Sequence, residues 1–187
     1  MNKNTALIII DVQEAFEDEK WGERNNLHAE VNISRLLTLW REKGWKVIHV
    51  QHTSDNPDSL FFPNNSGFAI KQSVQPEDGE DVITKKVNSS FIGTNMEKPL
   101  IQQDISTVVI TGLTTPHCVA TTTRMSGNLG FLTYLVSDAT AAFGLTDQRD
   151  IYYDAETIHN VSLATLHDEF ATVLSTEQLL DKTREES

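Results

Sequence analysis

The chain has 187 residues with 15 basic against 27 acidic side chains, a formal net charge of −12 with histidines neutral. That balance argues against nucleic acid and anionic membrane as partners, because both demand clustered lysine or arginine. One cysteine, Cys118, leaves no internal disulfide framework and suits a reducing cytoplasm.

In chain order, Thr5–Ile10 (Thr-Ala-Leu-Ile-Ile-Ile) is a short, continuously apolar run, the pattern of a strand covered on both faces. No basic, cleavable apolar leader precedes it, and nothing approaches the ~18 apolar residues of a membrane span, so a cytoplasmic protein is expected. Ala29–Lys43 places Val31, Ile33, Leu36, Leu37 and Trp40 at near-helical spacing, with Gly44 where a C-terminal cap belongs. Residues 46–50 read as a second strand. The long stretch 53–79 is rich in Asn, Asp, Ser and Pro but contains Phe61, Phe62 and Phe68. A loop of that size in a compact domain usually carries structure or function of its own, and here it is expected to fold down as an apolar lid. Further strands are predicted at 82–84, 107–111, 131–136 and 171–174. Helices are predicted at 97–103, 117–129, 156–168 and 176–180. This alternation predicts one domain over 1–187, a parallel sheet with helices on both faces. Ligands of such sheets lie beyond the carboxyl ends of the strands, where the strand order reverses.

Chemically active residues fall at three such ends. Asp11 follows Ile8-Ile9-Ile10, Lys85 and Lys86 end the third strand, and Cys118 follows Val108-Val109-Ile110-Thr111-Gly112. The fourth strand is expected to break at Gly112, putting Cys118 at a helix start, where unpaired N–H groups favour thiolate over thiol.

Three segments resemble the isochorismatase-like cysteine hydrolases, which include nicotinamidase, N-carbamoylsarcosine amidohydrolase and streptothricin hydrolase. They are Ala6-Leu7-Ile8-Ile9-Ile10-Asp11, then Val82-Ile83-Thr84-Lys85 with Ser89-Ser90-Phe91 after it, and Ile110-Thr111-Gly112-Leu113-Thr114-Thr115-Pro116-His117-Cys118. The resemblance implies a Rossmann-like, three-layer α/β/α fold with a six-stranded parallel sheet in the order 3-2-1-4-5-6. It further implies an Asp11, Lys85, Cys118 triad, Lys85 rather than Lys86 being chosen by its spacing from Phe91. A cis peptide joining Leu113 to Thr114 is implied as well, with the N–H groups of Thr114 and Cys118 as the oxyanion hole. Phe16, Trp21, His52, Phe91, His117 and Phe143 are the candidate pocket residues.

The activity so implied is hydrolysis of a small amide or ureido C–N bond through a thioester, with no cofactor. No metal is expected either: Val50-Gln51-His52 lacks the acid two residues before the histidine that zinc nicotinamidases share. Two other readings remain, vinyl-ether hydrolysis of the isochorismatase type and a non-catalytic flavodoxin-like binding domain. The second lacks a glycine in Asp11-Val12-Gln13-Glu14 to cradle phosphate. A homodimer or higher homo-oligomer is expected on the resemblance.

Overall fold

A computed structural model describes residues 1–185, so the last two positions of the expected single domain lie outside it. Six strands form one parallel sheet: β1 (Thr5–Ile10), β2 (Lys46–His52), β3 (Asp81–Lys85), β4 (Thr107–Leu113), β5 (Leu132–Ala141) and β8 (Thr172–Leu174). Their order is β3-β2-β1-β4-β5-β8, the expected 3-2-1-4-5-6 once the sixth sheet strand is called β8. Two further strands, β6 (Leu145–Thr146) and β7 (Tyr152–Tyr153), pair antiparallel as a separate small ribbon. The helices are α1 (Ala29–Lys43), α2 (Glu97–Gln102), α3 (Ala120–Asn128), α4 (Ala155–Ala164) and α5 (Thr176–Glu185). None of the helices is long and apolar enough to cross a membrane among the described residues.

Strand alternation sorts the core into two layers. Ile8, Ile10, Ile48, Val50, Ile83, Val108 and Ile110 pack on one face with Leu100 of α2 and Ala120 of α3. Leu7, Ile9, Val47 and Val109 pack on the other with Ile33, Leu36, Leu37 and Trp40 of α1 and Leu179 of α5. All six residues of β1 are buried, which is why that strand reads as an unbroken apolar run. Gly44 ends α1 in the left-handed conformation at φ 63°, its N–H bonded back to Arg41 and Trp40.

Several boundaries differ from the expected ones. β4 does not stop at Thr111 but continues through Gly112 to Leu113. Gly112 has φ +120°, and a Cβ there would lie 2.0 Å from the carbonyl oxygen of Ile10. Only a residue without a side chain lets β1 and β4 approach so closely. Opposite it the β4–β5 register jumps, Ile110 facing Leu135 and Gly112 facing Thr140. β5 therefore runs to Ala141 instead of ending at Val136, because the polar pair Ser137-Asp138 sits in this bulge. Asp138 uses its carboxylate to accept from Thr176 N and Oγ1 (both 2.7 Å) at the start of α5. α4 ends at Ala164, short of the expected 168.

The 53–79 stretch folds as two short 3-10 turns, Ser66–Phe68 and Gln72–Val74. A polar side chain outside it, Gln13, helps to anchor it. Buried Gln13 donates to the carbonyls of His52 (3.0 Å) and Phe68 (2.8 Å) and accepts from His52 N (2.8 Å). Beside it Glu30 of α1 accepts from Arg24 (2.8 and 2.5 Å) and Lys71 (2.7 Å). Burial alone would raise the Glu30 carboxyl; these cations outweigh it and bring the value to about 2. The network ties α1 to the segments on either side of the site.

Candidate active site

Four adjacent strands, in the spatial order β3-β2-β1-β4, end at one rim. Lys85 is the last residue of β3 and stands in register with His52, the last of β2. Asp11 follows β1 directly, its N–H bonded to Val50 O at 2.9 Å. It adopts φ +51°, a conformation that aspartate tolerates better than most residues, and Gln13 N closes a tight turn back to its carbonyl at 2.8 Å. β4 ends at a cis peptide between Leu113 and Thr114. The chain then forms a π-helical turn, Thr115–Val119, leading into α3, and Cys118 sits within that turn.

Lys85 is the centre of the cluster. Its side chain is fully buried, and its ammonium donates to Asp11 Oδ2 at 2.6 Å, to His52 Nδ1 at 3.0 Å and to Cys118 Sγ at 3.2 Å. Three protons thus meet three acceptors. The histidine must be neutral at Nδ1 to accept, and burial followed by the charge of Lys85 lowers its pKa to about 4. The other oxygen, Asp11 Oδ1, is buried with no geometrically defined hydrogen-bond partner among the described residues. Lys86, one residue on, is exposed and pairs with Asp55 at 2.7 Å. The period of two along a strand separates these neighbouring lysines.

The electrostatics correct one expectation. The placement of Cys118 at a helix start favoured thiolate, yet the thiol is pushed up to about 12 by burial first and the Asp11 carboxylate second, which together outweigh Lys85. Asp11 is also raised, because burial outweighs the opposing effect of Lys85. The resting sulfur is therefore a thiol, beside the Asp11 carboxyl group. Alkylation of Cys118 by iodoacetamide is accordingly expected to accelerate by roughly tenfold per pH unit from pH 7 to 9, followed by intact mass. A plateau near neutrality would mean a preformed thiolate.

The sulfur faces a cavity of about 410 Å³ lined by Asp11, Phe16, Trp21, His52, Phe61, His117, Cys118 and Phe143, together with Lys20, Asn88, Thr114, Gly144 and Leu145. Phe16 contacts Trp21 and Phe61 at 5.4 Å and Phe143 at 6.1 Å between ring centroids, so the rings form one continuous wall. Of the expected pocket residues, Phe16, Trp21, His52, His117 and Phe143 line this space. Phe91 does not: it is buried in the core, stacked on Phe131 at 6.2 Å. Phe61 alone of the three loop phenylalanines lines the cavity. His117 is held by Thr114, Oγ1 to Nδ1 at 3.0 Å.

Lys20, Asn88, Gly144 and Leu145 were not anticipated. Asn88 Oδ1 lies 3.9 Å from the sulfur, and its place just ahead of Ser89-Ser90-Phe91 was the available signal. A larger depression of about 810 Å³ adjoins across Phe16 and Phe143, but charged residues such as Glu17, Arg24 and Lys71 line it and no triad residue does.

Asp11, His52 and Cys118 offer oxygen, nitrogen and sulfur within 4.8 Å of one another, a donor set that suits zinc. The Lys85 ammonium lies within 2.6 to 3.2 Å of all three residues.

Residues 5–178 match the family model described as the isochorismatase domain. The chain is 71% identical over 181 residues to uncharacterized isochorismatase family protein YrdC of Bacillus subtilis (strain 168), covering 97% of each chain. Ureidoacrylate amidohydrolase RutB of Rhizobium rhizogenes is 24% identical, over 90% of this chain and 83% of its own. A crystal structure of a putative hydrolase of the isochorismatase family from Chromobacterium violaceum superposes with a TM-score of 0.92 at 38% identity, covering 95% of this chain and 92% of that one. Fold, order of strands and sequence agree: the chain is a hydrolase of the isochorismatase family.

Proposed function

We propose that the protein hydrolyses the C–N bond of a small amide or ureido compound through a thioester on Cys118, without a metal. One observation carries this reading: a single buried ammonium bonded to both Asp11 and Cys118, which themselves line a cavity. A carboxylate beside a thiol too basic to ionise alone is a general base for it. Asp11 takes the proton from Sγ as the sulfur attacks the carbonyl carbon. The N–H groups of Thr114 and Cys118 receive the oxyanion. Asp11 then returns the proton to the leaving nitrogen, the C–N bond breaks and an amine or ammonia departs. Water, deprotonated by Asp11, cleaves the thioester, releasing the acid and restoring the thiol. Lys85 keeps its proton throughout and holds Asp11 and the sulfur in place.

The amidohydrolase among the relatives supports C–N cleavage. Incubation with N-carbamoyl amino acids, ureidoacrylate, maleamate, biuret and nicotinamide, followed by acid quench, is expected to release ammonia and leave an acyl mass on Cys118. No turnover of these amides, with hydrolysis of isochorismate undiminished in Cys118→Ala, would favour vinyl-ether chemistry at the same site.

A further inference from the structure

We infer that the cavity selects anionic substrates, compact acyl compounds carrying a carboxylate, and that Lys20 is the residue that recognises them. This deepens the reading of Cys118 as the reacting thiol and rests on it.

Most cations around this end of the sheet are held by acidic side chains. Arg24 is held by Glu30, Lys71 by Glu17 and Glu30, Lys85 by Asp11, Lys86 by Asp55 and Arg149 by Asp147. Around this rim, then, an acidic partner is the ordinary condition of a lysine or arginine. Lys20 departs from it. It forms no ion pair among the described residues and instead rests its ammonium 5.0 Å from the centroid of the Trp21 ring, lining the cavity that holds the sulfur.

The cavity offers Lys20 nothing to neutralise it. Asp11 is the one carboxylate in the lining and is already bonded to Lys85. The rest of the wall is mainly the rings of Phe16, Trp21, Phe61 and Phe143, with neutral polar groups at His52, Asn88 and His117. An ammonium steadied on an aromatic face keeps its N–H donors available. At the edge of an apolar chamber it provides a counter-charge for an anion. The overall charge of −12 repels anions generally, so a local cation decides whether one enters. A substrate that fits seats its carbonyl at Cys118, lays its middle on the aromatic wall and presents its carboxylate to Lys20.

Alkylation of the single thiol tests this without knowing the substrate. Iodoacetate and iodoacetamide each form one S–C bond to Cys118 and release iodide, and they differ in charge alone at the far end. The readout is the ratio of their rate constants at Cys118, measured by intact mass at pH 8. Lys20→Gln is expected to lower the iodoacetate-to-iodoacetamide ratio about fivefold, an effect suited to one partly solvated charge. Lys20→Glu is expected to lower it further, and 1 M NaCl to remove most of the difference between wild type and Lys20→Gln.

Lys86→Gln, which changes the net charge equally but lies outside the lining, is expected to leave the ratio unchanged. An unchanged ratio in Lys20→Gln, or an equal fall in Lys86→Gln, overturns the inference while leaving the nucleophile intact. Failure of both reagents to reach Cys118 in the folded protein overturns the proposed function, and the anion site falls with it.

Discussion

Cys118→Ala is expected to lower turnover of the amide substrate by at least about 10⁴-fold while leaving the circular dichroism spectrum unchanged. The substitution removes one atom from a residue that is 9% exposed beside a cavity, so the packing loss is small. In the proposed mechanism it removes the group that forms the acyl intermediate. Asp11→Asn is expected to cost a similar factor, because an amide cannot take the thiol proton while Lys85 holds its own. Residues that act as one unit give grossly non-additive losses. The double variant is therefore expected to be no slower than the poorer single one, measured as kcat/KM by ammonia release. Retention of more than a tenth of wild-type rate by Cys118→Ala would end the thioester mechanism.

Gly112→Ala is expected to be the most damaging single-methyl change in the sheet. The new Cβ would meet Ile10 O at 2.0 Å and Ile10 N at 2.6 Å. These are backbone atoms of the central strand, locked in pairing with β2 and β4, and cannot swing aside as a side-chain end could. The φ of +120° adds strain that no L side chain escapes. Together these imply a loss of more than about 4 kcal/mol, hence a Tm fall of more than about 8 °C in a domain of this size. Gly79→Ala is the control: φ is +93° but no atom lies within 4 Å of the added Cβ, so only the backbone cost remains. A thermal melt of Gly112→Ala within 2 °C of wild type would refute the close-approach argument.

The sheet was largely legible in the sequence because its signals are local. Thr5–Ile10 is apolar at every position since both faces are covered, and Gly44 marks the end of α1 by its backbone alone. Lys85 could be chosen over Lys86 only through the family's spacing. The reason for the choice, a side chain turned to the same face as Ile83, follows from strand geometry.

What escaped was set by long-range pairing. β5 looked finished at Val136 because Ser137-Asp138 is polar, and nothing nearby says that Asp138 bonds Thr176. The β6–β7 ribbon is only two residues per strand, too short for a periodic signal. Phe91 was assigned to the pocket from its place beside the lysine motif, yet Phe131, forty residues on, stacks against it in the core. The raised thiol is of the same kind: helix position is visible in a sequence, whereas burial beside a carboxylate is not.

The aromatic wall has a consequence for how such a protein changes over time. Phe16 and Trp21 follow β1, Phe61 follows β2, and Phe143 follows β5, whereas Asp11 and Lys85 are fixed at the strand ends themselves. On the proposed mechanism, selection of what enters and cleavage of what has entered thus fall to different parts of the backbone. Loop substitutions can redirect the protein to a new compound in small steps, each leaving the bond-breaking apparatus in working order.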